Sequence, residues 1–129
     1  MLDESRPIFL QIAGRIENDI VSGTLQEEGQ VPSTNEFAAF FRINPATAAK
    51  GINRLVDEGL LYKRRGIGMF VATGAKARLL DRRREEFVQQ YVQPLVHEAH
   101  KLGITSDQLI EIITGSTPQA ASIERRVAQ

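Results

Sequence analysis

Near the start of the chain, apolar residues recur at three- and four-residue steps: Phe9, Ile12, Ile16 and Ile20. This spacing predicts an amphipathic helix with one buried face. Ser5 suits its N-cap, Pro7 its first position and Gly23 its end. A turn-rich stretch over 23–30 leads to Val31-Pro32. Ser33-Thr34-Asn35-Glu36 then has capping-box spacing, in which serine and glutamate each satisfy the other's backbone amide. The box predicts a second helix over about 34–41, burying Phe37, Ala38 and Phe41. A break at Arg42-Ile43-Asn44-Pro45 follows, and its Asn-Pro pair is a strong start for a third helix. That helix runs to about Glu58 and stops at Gly59.

Leu60–Arg64 and Met69–Ala72 read as paired strands, with Arg65-Gly66-Ile67-Gly68 supplying the glycines a hairpin loop needs. Three helices followed by a hairpin is the order of a winged helix-turn-helix. Beyond Gly74, Leu80, Phe87, Tyr91, Leu95 and Leu102, with Val88, Val92 and Val96 beside them, form an apolar stripe at helical spacing. Pro94 interrupts it and predicts a kink or a break into two helices. After Gly103, Thr105 and Gln108 form a second capping box for a helix carrying Leu109, Ile110, Ile112 and Ile113. The fold class expected is mainly α with a small β-hairpin. Residues 1–74 form the winged helix-turn-helix, residues 75–115 a helical region and residues 116–129 a flexible tail.

Hydrophobic content of 42% and charged content of 25% suit a globular domain, and the absence of cysteine excludes disulfides and thiolate metal sites. No stretch is long and apolar enough to span a bilayer, and the first residues lack a secretory pattern. A cytoplasmic location is the expectation. The formal net charge is zero, yet from position 42 onward the winged segment gathers Arg42, Lys50, Arg54, Lys63, Arg64 and Arg65. A local basic face on a neutral chain suits a nucleic-acid partner, and charge alone fits a mixed solvated surface equally well.

The third helix divides by face. Ala48, Ile52, Leu55 and Val56 turn to the core, whereas Ala46, Thr47, Lys50, Asn53, Arg54 and Asp57 turn outward. Small residues mixed with hydrogen-bond donors are what a helix needs to enter a major groove, and Gly51 allows a close backbone approach. Lys63-Arg64-Arg65 before a Gly-x-Gly turn places cations beside a loop tip able to reach phosphates or a minor groove. His97 and His100, with Glu86 and Glu98 as neighbours, have the spacing of two metal ligands, although histidines at a surface or interface are far commoner; no metal is expected. Arg82-Arg83-Arg84 beside Glu85-Glu86 reads as exposed ion pairs. No nucleophile elbow, phosphate loop or cofactor motif is present, so neither an enzyme nor a cofactor protein is expected.

Taken together, Val31-Pro32-Ser33, Thr47, Leu55, Glu58-Gly59-Leu60 and Gly66-x-Gly68-x-Phe70-Val71 resemble the DNA-binding domain of the GntR family of bacterial repressors. The resemblance covers about residues 7–72. The short C-terminal part and the Asn44-Pro45 start resemble the YtrA-like branch, whose members dimerise through a few helices after the wing. It implies DNA contacts by Ser33 and Asn35, by Asn44, Ala46, Thr47 and Lys50, and by Arg65, Gly66 and Gly68. Arg54 is added as a backbone contact. Asn35, Pro45 and Ala49 stand where many members have arginines, so their operator sequence does not transfer. The expected dimer interface is Leu80, Phe87, Tyr91, Leu95 and Leu102. The function expected is a homodimeric, sequence-specific regulator, in the repressor sense, on a palindromic operator of double-stranded DNA. A small-molecule effector would enter between the C-terminal helices and the winged domain or across the dimer. The alternative from the residues themselves is a winged helix that binds protein and not DNA.

Overall fold

In a computed structural model of the chain, residues 2–3 and 5–115 are described. They form α1 (Ile8–Ser22), β1 (Gln30–Val31), α2 (Thr34–Phe41), α3 (Pro45–Asp57), β2 (Leu61–Arg64), β3 (Gly68–Val71), α4 (Ala75–Phe87), a π-helical turn (Val88–Val92), α5 (Gln93–Lys101) and α6 (Ser106–Gly115). The flexible tail expected over 116–129 lies outside the described residues. The chain divides into two compact units, the first ending at Arg83 and the second beginning at Arg84.

In the first unit α1 buries Ile12, Ile16 and Ile20 as their spacing predicts, with Ala13 beside them, while Phe9 is half-buried. Its start differs from expectation. Pro7, extended at ψ 128°, precedes the helix and accepts from the Leu10 and Gln11 amides. The Ser5 hydroxyl instead donates to Asp3 at 2.7 Å. Gly23 closes α1 in the left-handed region at φ 86°. α2 begins on the full box: Ser33 N–H donates to Glu36 Oε1 at 3.0 Å and Glu36 N–H to Ser33 Oγ at 3.1 Å. It buries Phe37 and Ala38 and leaves Phe41 half-buried. Asn44 Oδ1 accepts from the Ala46 amide at 2.8 Å, and Pro45 fills the first turn of α3. α3 buries Ala48, Gly51, Ile52 and Leu55, while Val56 is half-buried.

The hairpin pairs Leu61 with Val71 and Arg64 with Gly68, and its sheet has a third strand where the sequence suggests only a connection. β1 adds antiparallel to the outer side of β3, with Gln30 opposite Phe70 and Val31 opposite Met69. Leu61 and Val71 face the core beside Ile16, Ile20 and Leu55. On the opposite face the Tyr62 and Phe70 rings stack with centroids 5.9 Å apart.

The turn into β1 is tied down by two carboxylates. Glu28 accepts from the Tyr62 hydroxyl, from the Thr73 hydroxyl at 2.6 Å and from the Thr73 amide at 3.1 Å. Glu27 accepts from the Gly74 amide at 3.0 Å, at the start of α4. Hydrogen bonds from the Thr73 hydroxyl, and next from Tyr62, hold the Glu28 carboxyl below its ordinary value of 4.5. A carboxyl lowered in the folded state adds stability that is complete above its ordinary value and is lost as pH falls through the lowered one. Glu28→Gln is therefore expected to lower the thermal midpoint at neutral pH and to differ less from the wild type at a pH low enough to protonate the carboxyl. A difference of equal size at both pH values would show that the charge is not responsible.

α4 belongs to the first unit along most of its length. Ala75 and Leu79, one turn apart, are buried in the core, Leu79 to 1% exposure, while Leu80 is half-buried. Arg82 donates to Glu17 of α1 and to Glu58 at the end of α3, each at 2.5 Å, and Arg83 donates to Asn18 at 2.6 Å. Sequence proximity pairs the arginine run with Glu85 and Glu86. Its first two members also fasten α4 across the ends of α1 and α3.

In the second unit Pro94 does not break the helix. The Gln93 amide bonds to Val88 O, five residues back, and the backbone stays helical on both sides of the turn. Proline lacks an N–H and its ring crowds the carbonyl four residues earlier; a widened π turn accommodates both demands. α5 ends at Lys101 and is capped by Leu102, with Gly103 at φ 73°. Thr105 and Gln108 form the expected box, Thr105 N–H donating at 2.9 Å and Gln108 N–H at 3.2 Å.

Candidate nucleic-acid interface

The expected reading residues lie at the start of α2, along α3 from its cap to its last turn, and in the turn between β2 and β3 with the first residue of β3. Ser33, Asn35, Asn44, Ala46, Lys50, Arg54, Arg65 and Gly66 are exposed, and Thr47 and Gly68 are partly so. Two of them also hold the fold. Ser33 is half of the α2 capping box, and the Asn44 carbonyl oxygen is committed to the Ala46 amide. The side-chain NH2 of the exposed Asn44 is then the group that remains to donate.

These residues border two depressions. One, of about 370 Å³, lies between Ser33 and Thr34 of α2 and Lys63, Ile67 and Gly68 of the wing. The other, shallow and about 960 Å³, follows the outer face of α3 past Ala46, Lys50, Asn53 and Arg54. The face division read from the α3 sequence is thus present in the structure, with its apolar side in the core and its polar side in this depression.

Lys50 has a partner that sequence reading missed. Its ammonium stands over the Phe9 ring of α1, 4.1 Å from the centroid. Such a contact is worth about 0.5–1 kcal/mol at an exposed site and restrains a long flexible side chain. Arg54 lies 3.6 Å from Glu58, the carboxylate that Arg82 also engages. In the wing the Arg64 guanidinium lies over Phe70 at 5.4 Å, while Arg65 occupies the exposed turn.

Gly51 proves to serve packing. A Cβ there would stand 2.6 Å from the Phe9 carbonyl oxygen and 3.2 Å from Ile12 Cβ, so the close approach it permits is that of α1. Sequence spacing placed it on α3 correctly but could not name what approaches.

Among the described residues no group of three or more His, Asp or Glu side chains is placed to hold a metal ion, and the pair His97 and His100 has no third ligand. No helix among them is long and apolar enough to cross a membrane.

Residues 9–71 match the family described as bacterial regulatory proteins, gntR family. Over 107 residues the chain is 30% identical to the HTH-type transcriptional regulator YhcF of Bacillus subtilis, spanning 83% of this chain and 87% of the relative. It is 28% identical over 109 residues to the HTH-type transcriptional repressor YtrA of the same species, spanning 84% and 83%. A GntR-family transcriptional regulator from Bacteroides thetaiotaomicron has a similar structure, with a TM-score of 0.71 at 34% identity, covering 92% of this chain and 98% of that one. The AraR DNA-binding domain in complex with operator ORX1 covers 55% of this chain and 87% of its own, at 35% identity and a TM-score of 0.51. The family pattern spans the winged helix and whole-length relatives span most of the rest: the chain belongs to the gntR family of bacterial regulatory proteins, DNA-binding regulators of transcription, in their short YtrA-like form.

Proposed function

We propose that this regulator is a repressor that binds a palindromic operator as a homodimer, reading bases with the outer face of α3 and gripping the backbone with the wing. The observation that carries the reading is the exposed face of α3, where Ala46, Lys50 and Arg54 border one open depression. Small residues there let the helix backbone sink toward base edges, and cations answer the phosphates. Ser33 and Asn35 at the start of α2, with Arg65, Gly66 and Gly68 in the wing, supply the flanking contacts. A relative named a repressor and a related domain bound to operator DNA support the same direction.

The dimer part rests on the second unit. Phe87, Tyr91, Leu95 and Leu102 are all exposed, as are Ile110, Ile112 and Ile113 of α6. So much apolar surface on short helices suits a second copy of the chain, and two heads can then meet half-sites about 34 Å apart. Leu80, half-buried next to Leu79, contributes at the margin. A small ligand that altered the separation of the heads would change operator affinity, and in this reading the regulator works in the cytoplasm.

The test is fluorescence anisotropy against a duplex enriched by the full chain from a random-sequence library. Affinity is expected to fall steeply with salt. Lys50→Ala is expected to weaken the selected duplex by roughly 1–3 kcal/mol and unrelated DNA by much less. Binding that ignores salt and is unchanged in Lys50→Ala would overturn the reading.

A further inference from the structure

The wing has two glycines, and they are there for different reasons. Gly66, at φ 75°, has nothing within 4 Å of where a Cβ would stand, so only its backbone conformation demands glycine. Gly68, at φ 148°, has a neighbour in that space: the side-chain nitrogen of Gln30 would lie 2.4 Å from a Cβ, and Gln30 Cδ 3.4 Å. The Gln30 side chain therefore crosses the bare face of Gly68. Beyond it, Nε2 donates to the backbone carbonyl of Ile67 at 3.2 Å, in the middle of the turn. Among the described residues no other side chain hydrogen-bonds to residues 65–68. The turn's own closure is the bond from Ile67 N–H to Arg64 O at 2.9 Å.

Gln30 is anchored where such a strut is useful. It lies on β1, which pairs with β3 over two positions and leads through Val31-Pro32 directly into the capping box of α2. Its backbone is thus joined to the reading helices while its side chain holds the wing turn. An isolated hairpin tip twists and splays, and one bond across its flank removes much of that freedom.

We infer that Gln30 is a positioning residue for DNA binding: by bridging over Gly68 to Ile67 O, it sets the attitude of the wing turn and so of Arg65. Gln30 touches no DNA in this account. Its effect passes through the wing, and the inference rests on the wing contacting DNA as proposed above.

A double-mutant cycle tests it in the full-length chain, with anisotropy on the library-selected duplex. Gln30→Ala is expected to raise Kd about three- to tenfold, the worth of one hydrogen bond, while cooperative unfolding and helical circular dichroism persist. Gln30→Met, which keeps the length but cannot donate, should behave the same way. In an Arg65→Ala background, the penalty of Gln30→Ala should largely vanish, because the cation it positions is gone. Gln30→Ala without effect, or with the same penalty in both backgrounds, would overturn the positioning role and leave the wing contact standing. Arg65→Ala without effect would remove the wing contact itself, and this inference with it.

Discussion

A chain carrying Tyr91→Glu and Leu95→Glu is expected to stay folded, to sediment as a monomer, and to lose about 10²–10⁴-fold in affinity for a duplex with two half-sites. Tyr91 is 64% exposed and Leu95 44%, so neither supports the interior of its own unit. The Phe87 and Tyr91 rings, 5.8 Å apart, instead present a joint apolar surface with no cover among the described residues. Carboxylates on that surface cost little in a monomer, where water solvates them, and a great deal in an interface, where nothing does. The winged unit has its own core, built on Ile12, Ile16, Ile52 and Leu55, so a single head should bind a single half-site as before. Sedimentation velocity and titrations with one- and two-half-site duplexes make the comparison. A variant that still dimerises, or that keeps its full two-half-site affinity, would refute a dimer through this surface.

Gly51→Ala is expected to be the most destabilising single-methyl change in the winged unit. The added Cβ would meet the Phe9 carbonyl oxygen at 2.6 Å and Ile12 Cβ at 3.2 Å. The first of these is backbone, which cannot rotate away, so α1 and α3 would have to separate. That move would loosen Ile12, Ile16, Ile52 and Leu55 together, since all four lie in one core. Alanine's better helix propensity returns about 1 kcal/mol, and overpacking of this kind costs typically 1–3 kcal/mol or more. With a backbone atom in the way the upper part of that range applies, and we expect a net loss of about 1–2 kcal/mol, or roughly 4–16 °C in thermal midpoint. Gly14→Ala is the control: nothing lies within 4 Å of its Cβ position, and it should stabilise α1 modestly. Equal midpoints for Gly51→Ala and wild type, measured by calorimetry, would show that the interface yields at no cost.

The elements that the sequence disclosed are those whose causes are local. A capping box needs four consecutive residues, so Ser33–Glu36 and Thr105–Gln108 could be read directly and form as read. The Asn44-Pro45 start, the Gly23 stop and the two faces of α3 belong to the same class. What stayed hidden depends on residues far along the chain. β1 is a two-residue strand that exists because β3 pairs with it, and no periodicity can be seen in two residues. Phe9 under Lys50 joins positions on different helices. Arg82 also reaches Glu17 and Glu58, far from it in sequence and brought near by the packing of α1 and α3. Leu80 fits the stripe of Phe87 and Tyr91, whereas Leu79 fits Ala75 and the core; spacing alone does not tell which of two adjacent leucines a helix turns inward. At Pro94 the rule against interior proline held in its cause, and one wide turn stands there in place of a full break.

The two caps that stand among the proposed reading residues bear on how this head can diverge from its relatives. Ser33 and Asn44 each hold a helix start with a side-chain oxygen, and losing such a cap typically costs about 1 kcal/mol. Substitutions there are penalised before any change in DNA preference can be selected. Asn35 and Ala46, exposed and free of capping duty, carry no such penalty, and Lys50 carries only its contact with the Phe9 ring. New operator preferences should therefore arise by drift at these three positions, with the serine and the asparagine as the slow-changing frame around them.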